Sequence, residues 1–379
     1  MPLNLAAVPI VDHHCHAFLR DQWFFDSAQF QRFFTESASE VVRRQHVPHT
    51  VFFKWAIKEL AAFLGCEPTV AAVLAARAAV PAWTLARRMF EDANIRLLLL
   101  DYGFQGAENV TWQEMRELVP IRIEPMLRLE VLAQQMIVEH ETFDEMLEAY
   151  IAAVEGARAG GHVALKSIIA YRTGLAIRPT ERADAAAAFA AAKERARAVG
   201  SVRLADKPLN DYLVLAALEV AEKQRMPVQF HTGFGDNDLD MLLANPFHLR
   251  PVLESGRFDH VPFVLLHASY PYVRELGYLA AIYPNVYMDV GLAVPYVTID
   301  IPALWRQALG LTPISKILFS TDAYSIPEIY WLAARWGRWG LGVVLDELCA
   351  VGALTAGEAE DAAVRILHAN SEELYGVKL

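Results

Sequence analysis

The chain has 379 residues, of which 54% are hydrophobic and 21% charged, a balance that excludes disorder for the bulk of it. Its formal net charge of −11 argues against nucleic acid or an anionic membrane as the main partner. Three scattered cysteines, Cys15, Cys66 and Cys349, exclude a disulfide framework or a cysteine-rich zinc site and point to a reducing compartment. A mean hydropathy of +0.22 prompts a search for the roughly 20 apolar residues of a membrane span. The best stretch, Thr69 to Leu85, is broken by Arg77 and Pro81 and reads as a buried helix. The start MPLNLAAVPIVDHHCH lacks the basic segment of a signal peptide, so a cytoplasmic protein is expected. Length allows two or three domains of about 150 residues, or one elaborated barrel.

Eight short apolar runs follow one another: Pro9 to His14, Ile95 to Tyr102, Ile121 to Arg128, His162 to Ile168, Pro227 to His231, Pro262 to His267, Val286 to Val290 and Lys316 to Thr321. Continuous hydrophobicity, as in RLLLL and FVLLH, is what a strand buried on both faces requires. Between them, helical spacing marks Phe143 to Ala159, Glu181 to Val199, Asp211 to Gln224, Tyr272 to Ile282, Ile301 to Leu309 and Pro327 to Trp339. Eight such units predict an α/β protein, a (β/α)8 barrel over residues 1–379, with helical additions from Val343 to Leu379. The longest departure is a largely helical insertion over residues 17–93, carrying Trp23, Phe24, Phe25, Phe30, Phe33 and Phe34. It reads equally as packing or subunit interface and as a cap over the strand ends. Its aromatic helices raise the expectation of a homo-oligomer.

Polar residues recur where these runs end. His14 and His16, two apart on the first run, project to the same side, while His13 points the other way and is set aside. The fifth run ends at His231, the sixth at His267 and the eighth just before Asp322. Any one of these histidines alone is more simply a hydrogen-bonded residue. Together, four histidines and a carboxylate converge on the rim where barrel enzymes keep their chemistry. This donor set suits one or two Zn2+ ions, with Mn2+, Fe2+ or Co2+ also compatible.

The motifs VDHHCH, FHTG, LLHASYP and FSTDA resemble the amidohydrolase superfamily, in particular its second large branch of metal-dependent hydrolases with TIM-barrel folds. KSIIAYRTGL, HTGFGDND and HASYPYVRELGYLA further resemble the amidohydrolase half of glutamine-synthetase-like fusion proteins. The likeness runs from Val11 to the terminal HANSEELYG. It implies a metal site of His14, His16, His231, His267 and Asp322. It also implies that Lys166, which falls in the fourth run, is carboxylated on its ε-nitrogen and bridges two metals; the plainer reading is an ordinary lysine facing a substrate carboxylate. In such a site metal lowers the pKa of bound water from about 15.7 toward about 7. Asp322 is then expected to accept the water proton, and His267 to ligate a second metal or stabilise the developing oxyanion.

For substrate contacts the rim offers Arg128, Glu130, Tyr171, Arg172, Asp236, Tyr270 and Arg274. Rim arginines pair bidentately with carboxylates, although Arg128 and Glu130 read almost equally well as a structural salt bridge. The substrate class implied is a small molecule with a carboxylate: an N-acyl amino acid, amide or lactone acid. HTGFGD lacks the phosphate-binding fingerprint of a nucleotide site, and no Gly-x-Ser-x-Gly elbow is present. The function expected is metal-dependent hydrolysis of a C–N or ester bond. The alternatives are non-oxidative decarboxylation by the same branch and a catalytically silent scaffold.

Overall fold

The structure, a computed structural model, describes residues 3–21, 25–104, 106, 108–119 and 121–379. Among these, eight parallel strands form one sheet in the order β1 to β8: β1 (Ile10–Cys15), β2 (Ile95–Asp101), β3 (Arg122–Arg128), β4 (Ala164–Ser167), β5 (Val228–Phe230), β6 (Phe263–Leu265), β7 (Val286–Asp289) and β8 (Ile317–Leu318). Backbone bonds from His13 to Phe319, Asp322 to His14 and His16 to Ala323 join the last strand's extension to the first, which closes a TIM barrel. Each strand lies within one of the eight apolar runs or one residue beyond it. Inside the barrel, Val11, Leu97, Leu99, Met126, Ala164, Val264, Leu266 and Leu318 pack together with Tyr375 and Val377 of the C-terminus. The barrel is therefore filled, each large apolar side chain contributing about 1.5–3 kcal/mol by burial. All chemistry must sit above that plug.

The helices match the 3.6-residue spacing with two instructive shifts. Asp211 was expected near a helix start, but the helix Lys207–Gln224 begins a turn earlier, where Pro208 supplies the preset φ of a first turn. Asp211 instead accepts hydrogen bonds from the Arg178 amide and Lys207. The helix starting at Pro327 continues to Ala350, into the region read as C-terminal additions. No single helix among the described residues is long and apolar enough to cross a membrane, and the stretch containing Pro81 forms two helices, Val70–Ala78 and Ala82–Asp92, bent by 110°.

The insertion packs on the barrel and also reaches the cavity. Phe30, Phe33 and Phe34 are buried and Phe25 packs on Phe33; Trp23 and Phe24 lie outside the described residues. Trp55 stacks on Trp336 at 4.2 Å between centroids, and a buried ion pair joins Arg77 to Glu328, so the insertion is seated on the helix Pro327–Ala350. Its polar residues Arg32, Glu36 and Arg43 reach the cavity above the strands.

Candidate active site

At the C-terminal rim, His14 Nε2 and His16 Nε2 stand 3.1 and 3.2 Å from the same oxygen, Asp322 Oδ1. His267 Nδ1 lies 3.7 Å from Asp322 Oδ2. Lys166 Nζ is 3.2 Å from His14 Nε2, and the His231 ring lies 4.5 Å from that of His267. The structure thus brings together all six residues expected to surround a metal. The candidate donor atoms of His14, His16 and Asp322 fall within 4.8 Å of one another, all in buried residues.

The arrangement fits a divalent cation on its own terms. Both ring nitrogens of His267 are buried without a hydrogen-bond partner, a state that costs about 1–3 kcal/mol per group in a folded protein. Burial lowers the pKa of His14 to about 3, and also draws down His231 and His267, so these imidazoles carry the neutral form that ligates. For Asp322 burial acts in the opposite sense, but His267, His14 and His16 around it hold the carboxyl well below its usual range.

Local backbone explains why these side chains converge. In β1, Asp12 pairs with Leu98 and Cys15 with Leu100, so three steps along β1 face two along β2. This bulge re-aims the strand end. His13 turns into the barrel, 3.1 Å from the Tyr375 hydroxyl and 3.2 Å from Asp289, which places it below the site. His16 is oriented by its Nδ1, 2.9 Å from the carbonyl of Asp101, leaving Nε2 for Asp322. Asp12 accepts from the amide and hydroxyl of Thr321 and so fixes the residue preceding Asp322.

Under β6, His267, Ala268 and Ser269 all have positive φ, as does Asp322, a left-handed backbone that non-glycine residues adopt only when their surroundings enforce it. Asp289 accepts the His267 amide at 2.6 Å, and Thr232 bonds both the Leu266 carbonyl and the Ser269 hydroxyl. Gly233, with φ +72°, lies so close that a Cβ there would overlap the Ser269–Tyr270 backbone. The glycine of HTG is thus a packing requirement of the β6 turn.

The cavity above this cluster measures about 630 Å3 and is lined by His14, His16, Lys166, His231 and Asp322, a volume suited to a small molecule. Of the seven expected substrate contacts, Arg128, Tyr171, Arg172 and Asp236 line it. Arg128 is engaged bidentately by Asp101, so the anticipated Arg128–Glu130 bridge is replaced by one to the end of β2. Glu130 is buried and accepts from the Ser167 hydroxyl at 2.6 Å and the Ile168 amide at 3.0 Å; it shapes the chain after Lys166 and does not face the cavity. Tyr270 packs edge-on against Phe234 and Arg274 is exposed on the helix Val273–Ile282; neither reaches the cavity wall, because the turn after β6 directs the chain outward.

The Tyr171 ring lies tilted against that of His231, 4.4 Å between centroids, a contact that requires Gly235, where a Cβ would overlap the Tyr171 hydroxyl. The Nε of Arg172 is buried with no hydrogen-bond partner, and burial, followed by the neighbouring Arg203, lowers that guanidinium's pKa. Residues the sequence reading missed are Arg32, Glu36, Arg43 and Arg203 on the cavity wall, and Asp101 and Asp289 behind the histidines. The last two end β2 and β7, so the strand-end rule applied to every run finds them. Nothing in the spacing of the insertion signals Arg32, Glu36 or Arg43, and Arg203 lies in the connection between two helices, away from any strand end.

Residues 124–377 match the profile of the amidohydrolase family. The chain belongs to that family. Over 222 residues it is 42% identical to Protein fluG of Emericella nidulans, covering 56% of this chain and 25% of that protein; the chain spans about a quarter of that relative's length. A structure from Lactobacillus casei ATCC 334, described provisionally as a metal-dependent hydrolase, superposes with a TM-score of 0.89 at 30% identity, over 99% of this chain and 98% of the other. A uronate isomerase from Thermotoga maritima shares the fold, with a TM-score of 0.68 at 15% identity over 98% and 95% of the two chains.

Proposed function

We propose that this amidohydrolase is a metal-dependent hydrolase of an amide, other C–N, ester or lactone bond in a small, carboxylate-bearing substrate. The observation that carries the reading is the buried group of His14, His16 and Asp322, whose donor atoms meet within 4.8 Å beneath a small-molecule cavity. His14, His16 and Asp322 would hold the ion, with His231, His267 and a carboxylated Lys166 completing a second position. Zinc is the ion proposed. When bound, the metal supplies a nucleophilic water at neutral pH and Lewis-acid polarisation of the carbonyl.

The protein's own groups do the rest. Asp322, held ionised, accepts the proton released by the attacking water and returns it to the leaving atom. His267, neutral and with neither nitrogen in a hydrogen bond, lies where it can ligate or donate to the developing oxyanion. Arg172 offers its guanidinium fork to the substrate carboxylate, and Tyr171 over His231 shields the reacting end from water.

The test is a panel of N-acyl amino acids, monoamides of dicarboxylic acids and lactone acids assayed with protein of measured metal content. Metal-dependent release of carboxylate in at least one class supports the reading. Release of carbon dioxide from an aromatic or unsaturated acid, with no hydrolysis, replaces it with decarboxylation. A mass increment of one CO2 on Lys166 with two metals per chain supports the bridged site; one metal and an unmodified lysine removes that part.

A further inference from the structure

Two polar groups on opposite sources of chain meet the cavity with bonding capacity left over. One is Arg172, after β4, discussed above. The other is Glu36, which comes from the insertion. The Tyr296 hydroxyl donates to its Oε1 at 2.8 Å, which leaves Oε2 for the cavity that Glu36 lines. The segment carrying it is pinned across the cavity, since the Ala38 amide donates to Asn237 Oδ1 at 2.8 Å. Tyr296 itself is held edge-on by Phe52 of the insertion, at 5.1 Å between centroids, and by Phe234.

Glu36 is half-buried, and that burial disfavours the charged form of its carboxyl. Burial pushes the Glu36 pKa up to about 7, and no cation is among the groups that act on it: Tyr296, Asp322 and Asp236 are. Packing alone would be served better by an apolar residue among Phe33, Phe52 and Tyr296. With Oε1 taken by Tyr296, Oε2 offers an acceptor to a hydrogen-bond donor that arrives with the substrate.

We propose that Glu36 is a specificity-determining residue that binds a hydroxyl or amino group of the substrate, at the end away from the carboxylate held by Arg172. The substrate class is then narrower than a carboxylate-bearing amide or ester: it is a hydroxy- or amino-acid derivative read at both ends. This rests on the proposed role of Arg172, and the following experiment separates the two.

Binding is measured by calorimetry on the metal-loaded protein with three series of short linear acids of matched chain length: plain, ω-hydroxy and ω-amino. At one length the hydroxy or amino acid is expected to bind at least about fivefold more tightly than the plain acid, the yield of one new hydrogen bond. In Glu36→Met that ratio falls to about one, with the melting temperature checked. In Glu36→Gln the hydroxyl gain persists and an ammonium gain is lost, which tells the two donors apart. Tyr296→Phe, which removes the anchor without altering the carboxyl, reduces the gain and serves if Glu36→Met does not fold. No gain at any length, or a gain undiminished in Glu36→Met and Tyr296→Phe, overturns the proposal. Arg172→Gln is expected to weaken all three series alike. If it changes nothing, the carboxylate reading fails while the Glu36 result still stands, and if no acid binds at all, both fall.

Discussion

On one side of the cavity, His14, His16, His267 and Asp322 hang from strand ends whose backbones are tied to one another through Asp12, Asp289 and Thr232. On the other, Arg32, Glu36 and Arg43 arrive on an insertion attached by an aromatic seam, one buried ion pair and a few hydrogen bonds. The first wall is rigid because parallel strands fix it from every direction, and it carries the groups suited to bond breaking. The second can change in sequence without disturbing the barrel, and it carries groups suited to recognition. This division follows from the fold, since loops and insertions at the strand C-termini are where a barrel can vary.

The comparison breaks most sharply at Asp322. Asp322→Asn keeps the shape and much of the coordination but loses the proton acceptor, and turnover is expected to fall by at least about a thousandfold with the circular dichroism unchanged. Near-wild-type turnover would remove Asp322 from the chemistry. At the other wall, Glu328→Leu removes the carboxylate that Arg77 bonds and should destabilise the protein by more than about 1 kcal/mol in urea unfolding; a smaller loss would mean that the insertion does not depend on this pair. Arg172→Gln is expected to raise KM for a carboxylate-bearing substrate by about tenfold to a hundredfold, equivalent to about 1.5–3 kcal/mol, with kcat little changed. A fall in kcat at constant KM would move Arg172 from recognition to the reacting centre.

The smallest effect is a slope with pH. Glu36 has a folded pKa raised to about 7 from an ordinary 4.5, chiefly by burial. The folded state therefore binds its proton more tightly than the unfolded chain, so the contribution to stability is complete below about 4.5 and is lost as pH rises through about 7. Relative to Glu36→Gln, the wild type should lose about 1–3 kcal/mol between pH 5 and pH 8. Parallel stability curves would show that the carboxyl is solvated in the absence of substrate.

The same division explains what the sequence discloses. Strand cores reveal themselves through continuous apolar runs, and residues at their ends inherit a common direction, so the convergence of His14, His16, Lys166, His231, His267 and Asp322 is legible in the sequence. The bulge in β1 was not visible, yet two-residue spacing still kept His14 and His16 on one side. Arg128 illustrates the limit: its position at a strand end was legible, but its partner depends on β2 register, and Asp101 took the place assigned to Glu130. Tyr270 and Arg274 were read as rim residues because they follow β6 closely. The left-handed turn at His267–Ser269 sends them outward, and no local pattern announces such a turn in non-glycine residues. Glu36 was invisible for a different reason, since its partner Tyr296 lies far away in sequence and meets it only through the packing of the insertion.

The proposed metal centre of His14, His16 and Asp322 is tested by metal stoichiometry from plasma mass spectrometry on protein purified without chelator, compared with a His14→Ala/His16→Ala variant. At least one divalent transition metal per chain in the wild type and nearly none in a folded variant is the predicted result. Equal metal content in the two proteins, or a folded wild type that neither retains nor takes up metal, would contradict it.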